Sequence, residues 1–394
     1  MKSKNHLLRS ERTAGLLMIG AMTLALIAAN SPLQPIYQTI HHTPVHVRFG
    51  PLIIDEPLVV WINEGLMVIF FLLVGLEIKR ELLVGQLRTP ALFALPGLAA
   101  LGGMALPAAI YSTINWTDPV LLRGWAIPTA TDIVLALGIL SFFNARIPHS
   151  LKVFLMAVAV FDDIGAVFII GLFYGQELAL LPLALAAIGG TALVGLNIFN
   201  IVRPAAYVFV GLFLWVSTLK AGIEPALVGV LIGLAVPLRV PDRAGYSPLG
   251  ETERQLRPWG YLCVVPLFAF FNSGVSFSGA EVETLFNKSS VGIMTGLFLG
   301  KQLGIFVAAW MAVQLRLAQL PDEISWAQLY GVALLGGIGF TMSLFVSSLA
   351  FTEPSLIQSS RFAILTGSIL SAVTGMVVLY HSTMRSNYGK VQAC

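Results

Sequence analysis

Long apolar runs recur along the whole chain, and they constrain its fold more than any other feature. A run of about 20 apolar residues forms a helix long enough to cross the hydrocarbon core of a bilayer. Because every backbone polar group in such a run must be satisfied without water, the runs predict an all-α polytopic membrane protein. The twelve predicted spans are 12–29, 58–84, 94–115, 121–143, 151–174, 180–199, 204–218, 223–237, 257–272, 290–312, 327–350 and 357–381.

The composition agrees with this class of protein. The 394 residues are 57% hydrophobic and 11% charged, whereas soluble domains carry about 25% charged residues. The formal charge of +3 is too small to favour nucleic acid as a partner. Cys263 and Cys394 form no metal-binding motif, so we expect no cofactor. We therefore expect one integral domain, residues 1–394, whose partner is the lipid bilayer.

The basic residues predict the orientation of the chain. With the N-terminus inside, most of the 23 Lys and Arg residues fall on the inner side, which the positive-inside rule identifies as the cytoplasm. Both termini are then cytoplasmic. The run 13–29 follows a basic tail and could instead be a signal peptide, but it exceeds the usual length of about 7–15 apolar residues, so we interpret it as span one.

The predicted outer loop, 30–57, holds two short β-prone runs around Phe-Gly-Pro. They predict a small periplasmic β-hairpin. A lone hairpin is marginally stable in water, so we expect Val45–Ile54 to pack on a second protomer in a homodimer. His41, His42 and His46 in this loop could bind zinc, but flexible surface histidines are the favoured interpretation.

Four charged residues fall near the middle of predicted spans. They are Asp132 in span four, Asp162 and Asp163 in span five, and Lys301 in span ten. A charge at that depth costs about 2.5–3.5 kcal/mol even on insertion scales, so Lys301 needs a carboxylate partner. Neighbouring residues of a helix point about 100° apart, so one of the paired aspartates can face Lys301 and the other a cavity. A network that only holds the spans together is the alternative, but three acids then leave uncompensated negative charge.

Two predicted spans carry helix-breaking residues at mid-membrane. Pro128 lies in span four, and Gly336, Gly337 and Gly339 lie in span eleven. Non-helical backbone at that depth is tolerated where it lines a cavity or is buried in protein. Since these spans are the middle members of spans 3–5 and 10–12, the pattern predicts two inverted three-helix repeats with a binding site at the breaks. The acid of span four can offset the exposed helix N-termini, and the lysine of span ten the C-termini.

Five motifs follow one another along the chain: FFLLVGLEIKRELLVGQL, PTATDIVLALGIL, VAVFDDIGAVFII, LFLGKQLGIF and LLGGIGFTMSLF. In this order they resemble those of the NhaA family of bacterial sodium/proton antiporters along essentially the whole chain. The resemblance implies a secondary transporter rather than an enzyme. It implies electrogenic export of Na⁺ or Li⁺ in exchange for two protons, with pH regulation, across the bacterial inner membrane. Spans 3–5 and 10–12 would form the core, and the other spans an interface bundle.

The resemblance also assigns the exchange site. It implies that Asp163 is the main Na⁺ ligand, helped by Asp162, which pairs with Lys301. Thr131 and Asp132 match the family's residues at the helix crossing. The second proton could be carried by Asp162 or Asp132, or released by Lys301, and the sequence does not choose among them.

Further residues are implied to regulate access and pH response. Glu64 resembles an acidic position facing the cytoplasmic funnel. Where other members of the family carry histidines, this chain has Arg254, Arg257 and Glu224. Arginine does not titrate near neutrality, so the pH range of activation stays open. The implied pH-sensing cluster comprises Glu77, Arg80, Glu81, Glu253, Arg254 and Arg257.

Three other classes of protein could carry acids within apolar runs. An intramembrane aspartyl protease would carry a Gly-x-Gly-Asp motif, whereas in this chain the run Gly336–Gly339 is followed by Phe340 instead of an aspartate. A channel needs acidic rings along a pore and has no saturable exchange. A Na⁺-coupled symporter on a similar inverted-repeat fold is the closest rival, distinguished by whether Na⁺ moves protons oppositely without an organic solute.

Overall fold

The computed structural model describes residues 2–49, 52–85, 90–143, 147–174, 179–239, 246–276, 287–321 and 323–391, and these are almost entirely helical. The elements are α1 (Lys2–Ala29), α2 (Gln34–His42), β1 (Pro44–Phe49), β2 (Leu52–Pro57), α3 (Leu58–Leu83), α4 (Pro90–Asn115), α5 (Pro119–Leu122), α6 (Ile133–Leu140), α7 (His149–Phe173), α8 (Leu180–Ile198), α9 (Pro204–Ala221), α10 (Leu227–Ala235), α11 (Pro248–Trp259), α12 (Val265–Asn272), α13 (Lys288–Thr295), α14 (Lys301–Gln314), α15 (Trp326–Gly336), α16 (Phe340–Ala350) and α17 (Pro354–Val391).

Short segments of other helix types interrupt or join these elements. The turn Trp61–Leu66 within α3 is π-helical, as are Gly260–Val264 between α11 and α12 and Gly296–Gly300 between α13 and α14. The 3₁₀ helices Arg123–Thr129 and Ser141–Phe143 flank α6. π-helical turns are rare and frequently lie at functional sites, so residues near each of the three turns are candidates for a functional role.

In the described part of the chain, ten helical segments are long and apolar enough to cross a membrane. They include ten of the twelve predicted spans. The predicted span 223–237 contains α10, whose nine residues extend only about 14 Å. The predicted span 257–272 is continuous with the polar α11. The exact number of spans therefore stays a prediction.

The chain divides into two compact units. The first comprises Met1–Gly20, Gln86–Ala166 and Val275–Cys394, and the second comprises Ala21–Gly85 and Val167–Gly274. The first unit holds most of predicted spans 3–5 and all of spans 10–12. The four residues predicted at mid-membrane, Asp132, Asp162, Asp163 and Lys301, all belong to it.

Two helices of the first unit are broken. Three residues separate the 3₁₀ helix Arg123–Thr129 from α6, and three residues separate α15 from α16. The backbone N–H of Asp132 donates to the carbonyl oxygen of Ile338 at 2.6 Å, which joins the two non-helical segments. Pro128 and Gly336–Gly339 lie at these breaks, as their sequence pattern predicted.

A close helix crossing positions α14 in the first unit. A Cβ atom on Gly102 of α4 would lie 2.5 Å from the Cβ of Ala308, and one on Gly304 would lie 2.7 Å from the carbonyl carbon of Gly102. The two backbones therefore approach as only small residues permit. This crossing fixes the position of Lys301, the first residue of α14, relative to α4.

The second unit contains the hairpin. Strands β1 and β2 pair antiparallel from Pro44 opposite Pro57 to Phe49 opposite Leu52. The cross-strand pair His46 and Asp55 forms an exposed ion pair at 2.6 Å, which requires a protonated histidine. Gly50 and Pro51, at the turn of the predicted hairpin, lie outside the described residues.

The histidines of this region need a correction. His41 is only 7% exposed, and its ring lies 4.3 Å from the ring of Tyr37 and 4.9 Å from that of Phe271. The interpretation as a surface histidine is wrong for His41, because α2 turns this side chain toward α12. Within the described residues, no group of three His, Cys, Asp or Glu side chains is arranged to hold a metal ion.

Candidate functional site

Lys301 and Asp162 form a buried ion pair in the first unit. Lys301 Nζ lies 2.7 Å from Asp162 Oδ2, and both side chains are fully buried. Lys301 Nζ also donates to the carbonyl oxygen of Thr129, at the end of the 3₁₀ helix. The positive charge thus meets a carboxylate and the negative end of a broken helix at once.

Thr131 links this pair to the second broken helix. Its Oγ1 lies 2.6 Å from Asp162 Oδ2 and 2.8 Å from the carbonyl oxygen of Gly336, the last residue of α15. A hydroxyl carries one proton, so Thr131 can donate to only one of these acceptors at a time. The hydroxyl proton of Thr131 therefore goes either to Asp162 or to the carbonyl oxygen of Gly336.

Asp132 bridges the N-termini of the other two half-helices. Its Oδ1 accepts from the N–H of Leu135 at 2.9 Å and caps α6. Its Oδ2 accepts from the N–H of Thr341 at 3.0 Å and from its hydroxyl at 2.5 Å, near the start of α16. A carboxylate is favoured there because both helix ends carry partial positive charge. Both of its oxygens have hydrogen-bond donors, which sets it apart from Asp162.

The neighbouring aspartates are both buried, at 1% exposure for Asp162 and 4% for Asp163. Asp162 Oδ1 has no hydrogen-bond partner among the described residues. A buried carboxylate oxygen without a donor is costly, and a bound proton or cation would satisfy it. Asp163 lies one residue further along α7 and interacts electrostatically with Lys301. The pair of acids therefore has capacity for positive charge beyond that of Lys301.

Five of the six predicted pH-sensing residues form a continuous network in the second unit. Arg257 Nη2 donates to Glu77 Oε1 at 2.9 Å and lies 3.5 Å from Glu253 Oε1. Arg80 then joins Glu253 Oε2, at 2.8 Å, to Glu81 Oε1, at 2.7 Å. We call these five residues the Arg–Glu network. Alternating charges in a half-buried chain stabilise one another more than isolated surface pairs do.

The sixth predicted residue, Arg254, lies outside this network. Its side chain is 76% exposed and pairs with Glu251 at 2.7 Å, one turn away on the same helix. The hydrogen bond from Arg254 lowers the pKa of Glu251. Burial raises the pKa of Glu253, although the charge of Arg80 opposes this shift. Glu253 therefore binds a proton more readily than an ordinary glutamate does.

Glu64 lies away from the Arg–Glu network. It lies near the start of α3, whereas Glu77 lies thirteen residues later, about 20 Å further along the helix. Its charge interacts with those of Glu56, at the end of β2, and Glu224, after α9. Glu64 is therefore well separated from the Arg–Glu network along α3, and its place in a cytoplasmic funnel stays a prediction.

Thr341 and Tyr261 contact predicted site residues but were not themselves predicted from the sequence. Thr341 supplies two of the donors to Asp132, and Tyr261 donates its hydroxyl to Glu77 Oε1 at 2.9 Å. A threonine just after the glycine-rich break, in the first turn of a half-helix, was the signal for Thr341. Nothing in the sequence separates Tyr261 from the other aromatic residues of its apolar run.

Charges buried where two broken membrane helices meet define the class of secondary transporters. Comparison with known proteins makes this specific. The model of the family described as Na⁺/H⁺ antiporter 1 matches residues 5–379, and the chain belongs to that family.

The similar proteins agree with this assignment. The chain is 47% identical over 373 residues to the Na(+)/H(+) antiporter NhaA 1 of Syntrophotalea carbinolica, covering 94% of each chain. It is 49% identical over 370 residues to the Na(+)/H(+) antiporter NhaA of Pseudomonas fluorescens (strain Pf0-1), covering 93% of each. The sodium proton antiporter MjNhaP1 from Methanocaldococcus jannaschii matches at a TM-score of 0.48 and 16% identity over 94% of this chain and 91% of that one, too weakly to carry an argument.

Proposed function

We propose that this protein is an electrogenic antiporter that exports Na⁺ or Li⁺ from a bacterial cell in exchange for about two entering protons. Family membership supports the exchange of Na⁺ for H⁺. The observation that carries the choice of site is the fully buried Lys301–Asp162 pair beside a second buried acid, Asp163. A cofactor has no role in this proposal, because the transported ions supply all the charge that moves.

The mechanism is competition for carboxylate oxygens. Hard cations favour oxygen ligands, and Na⁺ would bind Asp163 together with Asp162. A proton neutralises the same oxygens, so Na⁺ and H⁺ exclude each other. When Asp162 is deprotonated, Lys301 and Thr131 stabilise it. Competition at one site, exposed in turn to each side of the membrane, is sufficient for antiport.

The membrane potential would drive this exchange. Two protons entering for each Na⁺ leaving carry one net positive charge inward. Each charge moved across 100 mV contributes about 2.3 kcal/mol, which sustains roughly a fifty-fold larger cation gradient. The buried ion pair supports this stoichiometry, because Asp162 or Lys301 would be able to carry the second proton. Sodium, pH and volume homeostasis would be the physiological role.

The membrane arrangement belongs to the same proposal. We infer twelve spans, with spans 3–5 and 10–12 as inverted repeats and both termini in the cytoplasm of an inner-membrane protein. The two breaks, each in the middle of its triplet, support the repeats. Residues 1–394 would act as one transporter domain, with the remaining spans as an interface bundle. The exposed strand residue Val47 supports pairing of the hairpin with a second protomer.

Transport in everted vesicles that lack other antiporters tests the function. We expect Na⁺ addition to dissipate the imposed pH gradient with the natural protein and not with Asp163→Asn. Asp55→Asn, at a 57% exposed position in the hairpin, is the matched control and should behave as the natural protein. Exchange by correctly inserted Asp163→Asn at the natural rate would overturn the assignment. A requirement for an organic solute would indicate a symporter instead.

A further inference from the structure

The π-helical turn before Lys301 alters the direction of that side chain. The backbone N–H of Lys301 donates to the carbonyl oxygen of Gly296, five residues back, instead of four as in an α-helix. The turn holds one extra residue, so everything after it is rotated by about 100° relative to a regular helix. Lys301 is the first residue to experience this rotation.

Gln302, the next residue, holds the turn to a neighbouring helix. Its Nε2 donates to the carbonyl oxygen of Phe298, within the π-helical turn, at 2.5 Å. Its Oε1 accepts from the hydroxyl of Tyr330 on α15 at 2.6 Å. Gln302 is only 3% exposed, so water does not compete strongly for these bonds.

Tyr330 is itself held in place. Its ring packs edge-to-face on that of Phe306, with centroids 5.3 Å apart, and Phe306 packs likewise on Trp326 at 5.9 Å. Such pairs favour one ring orientation over others. Tyr330 also lies six residues before Gly336, where α15 ends at the break. The contact between Gln302 and Tyr330 thus joins the π-helical turn to the broken helix.

We propose that Gln302 is a positioning residue of the exchange site, which keeps Lys301 directed at Asp162 by joining Phe298 to Tyr330. The geometry of Lys301 requires such a restraint, because its ammonium meets both Asp162 Oδ2 and the carbonyl oxygen of Thr129. Without the two bonds of Gln302, the turn can relax toward α-helical geometry and rotate the lysine away. The predicted effect on transport rests on the proposed function, whereas the predicted effect on the π-helical turn does not.

The first experiment measures exchange by the full-length protein in proteoliposomes across pH 6–9. Gln302→Met keeps the length of the side chain and removes both bonds, and Tyr330→Phe removes only the hydroxyl. We expect each to raise KM for Na⁺ by about 3- to 10-fold and to shift the pH profile, with little change in maximal rate. Tyr207→Phe, which removes a hydroxyl bonded to Ile201 in the second unit, should change neither.

The double variant separates positioning from simple stability. If Gln302 and Tyr330 act together, their combined effect on KM should be no larger than the greater single effect. Natural KM and pH profile in both single variants, or a loss of thermal stability alone, would overturn the proposal. So would full additivity of the two effects.

Hydrogen–deuterium exchange gives a readout that does not depend on transport. Amides in the segment 296–302 should exchange about 3- to 10-fold faster in Gln302→Met than in the natural protein, because the restraint on the turn is lost. Unchanged protection would refute the inference even if transport is altered. Absence of Na⁺/H⁺ exchange by the natural protein would refute the proposed function alone, and faster amide exchange would still support the restraint by Gln302.

Discussion

Lys301 and Asp162 are 139 positions apart in the chain, and their side chains form an ion pair of 2.7 Å in which neither is exposed to solvent. Removing one member of such a pair leaves an uncompensated buried charge. Replacing both members by neutral amides leaves no buried charge, and the amides can still form hydrogen bonds. The two cases differ by several kcal/mol in soluble proteins.

Lys301→Gln should therefore destabilise the protein more than the double variant Lys301→Gln/Asp162→Asn. We expect the single change to cost about 3–5 kcal/mol, with partial recovery in the double variant. Thermal unfolding of the detergent-solubilised protein, followed by tryptophan fluorescence, measures the difference. The exposed Lys288→Gln is the control and should lie within about 0.5 kcal/mol of the natural protein. Equal losses in the single and double variants would contradict a direct charge pair.

Thr341→Val tests the bridge between the two half-helices at Asp132. The change keeps the shape of the side chain and removes the hydroxyl that donates to Asp132 Oδ2. A hydrogen bond to a charged group contributes about 1.5–3 kcal/mol, so unfolding should occur at lower temperature. Thr374→Val, at a half-buried position of α17 away from Asp132, is the matched control. Similar melting of the two variants would show that Asp132 does not depend on Thr341.

Arg257→His should change the pH dependence of exchange. Arg257 contacts Glu77 and Glu253 directly, and histidine titrates near pH ~6.5 whereas arginine does not. The charge of the Arg–Glu network would then vary across the neutral range, and the activation profile should shift. Exchange rates in everted vesicles from pH 6 to 9 measure this.

Arg254→His is the matched control for that experiment. Arg254 lies outside the Arg–Glu network and pairs only with Glu251 among the ion pairs of the described residues. Its replacement should leave the profile unchanged. Equal shifts for the two variants would show that general surface charge, rather than the network, sets the pH response.

Glu253 should make stability depend on pH. Burial raises its pKa in the folded protein above the ordinary value of 4.5, so the folded state binds its proton more tightly than the unfolded state. The contribution to stability is complete below pH 4.5 and is lost as the pH rises through the raised pKa.

Unfolding midpoints of the natural protein and Glu253→Gln between pH 4 and pH 8 test this. The natural protein should lose stability relative to the variant as the pH rises. Glu251→Gln is the control. Because the pKa of Glu251 is lowered rather than raised, the natural protein should not lose stability relative to this variant as the pH rises. A constant difference between the natural protein and Glu253→Gln across this range would contradict a raised pKa.

Much of this architecture could be predicted from local patterns. Pro128 and the glycines at 336–339 identified the two breaks, because their effect on helical backbone needs no tertiary context. The need of Lys301 for a carboxylate also followed from burial alone. The residue pattern did not choose between Asp162 and Asp163; the family resemblance did.

Other assignments depended on contacts that no local pattern encodes. His41 is buried because α2 turns it toward Phe271, and Arg254 leaves the Arg–Glu network because its helix directs it to solvent. The charge of Glu64 interacts with those of Glu56 and Glu224, and its place in a cytoplasmic funnel stays a prediction. The burial of His41 and the exposure of Arg254 both concern the direction of a side chain, which packing determines.

The sequence by itself predicted a bundle of membrane helices with buried charges and two helix breaks, since hydrophobicity and backbone chemistry act locally. Only the tertiary structure decided which groups meet there. The approach of α4 and α14 at Gly102 and Gly304 fixes the position of Lys301, and the π-helical turn fixes its direction. An ion pair requires atoms within about 4 Å, and distant segments reach that precision only through packing.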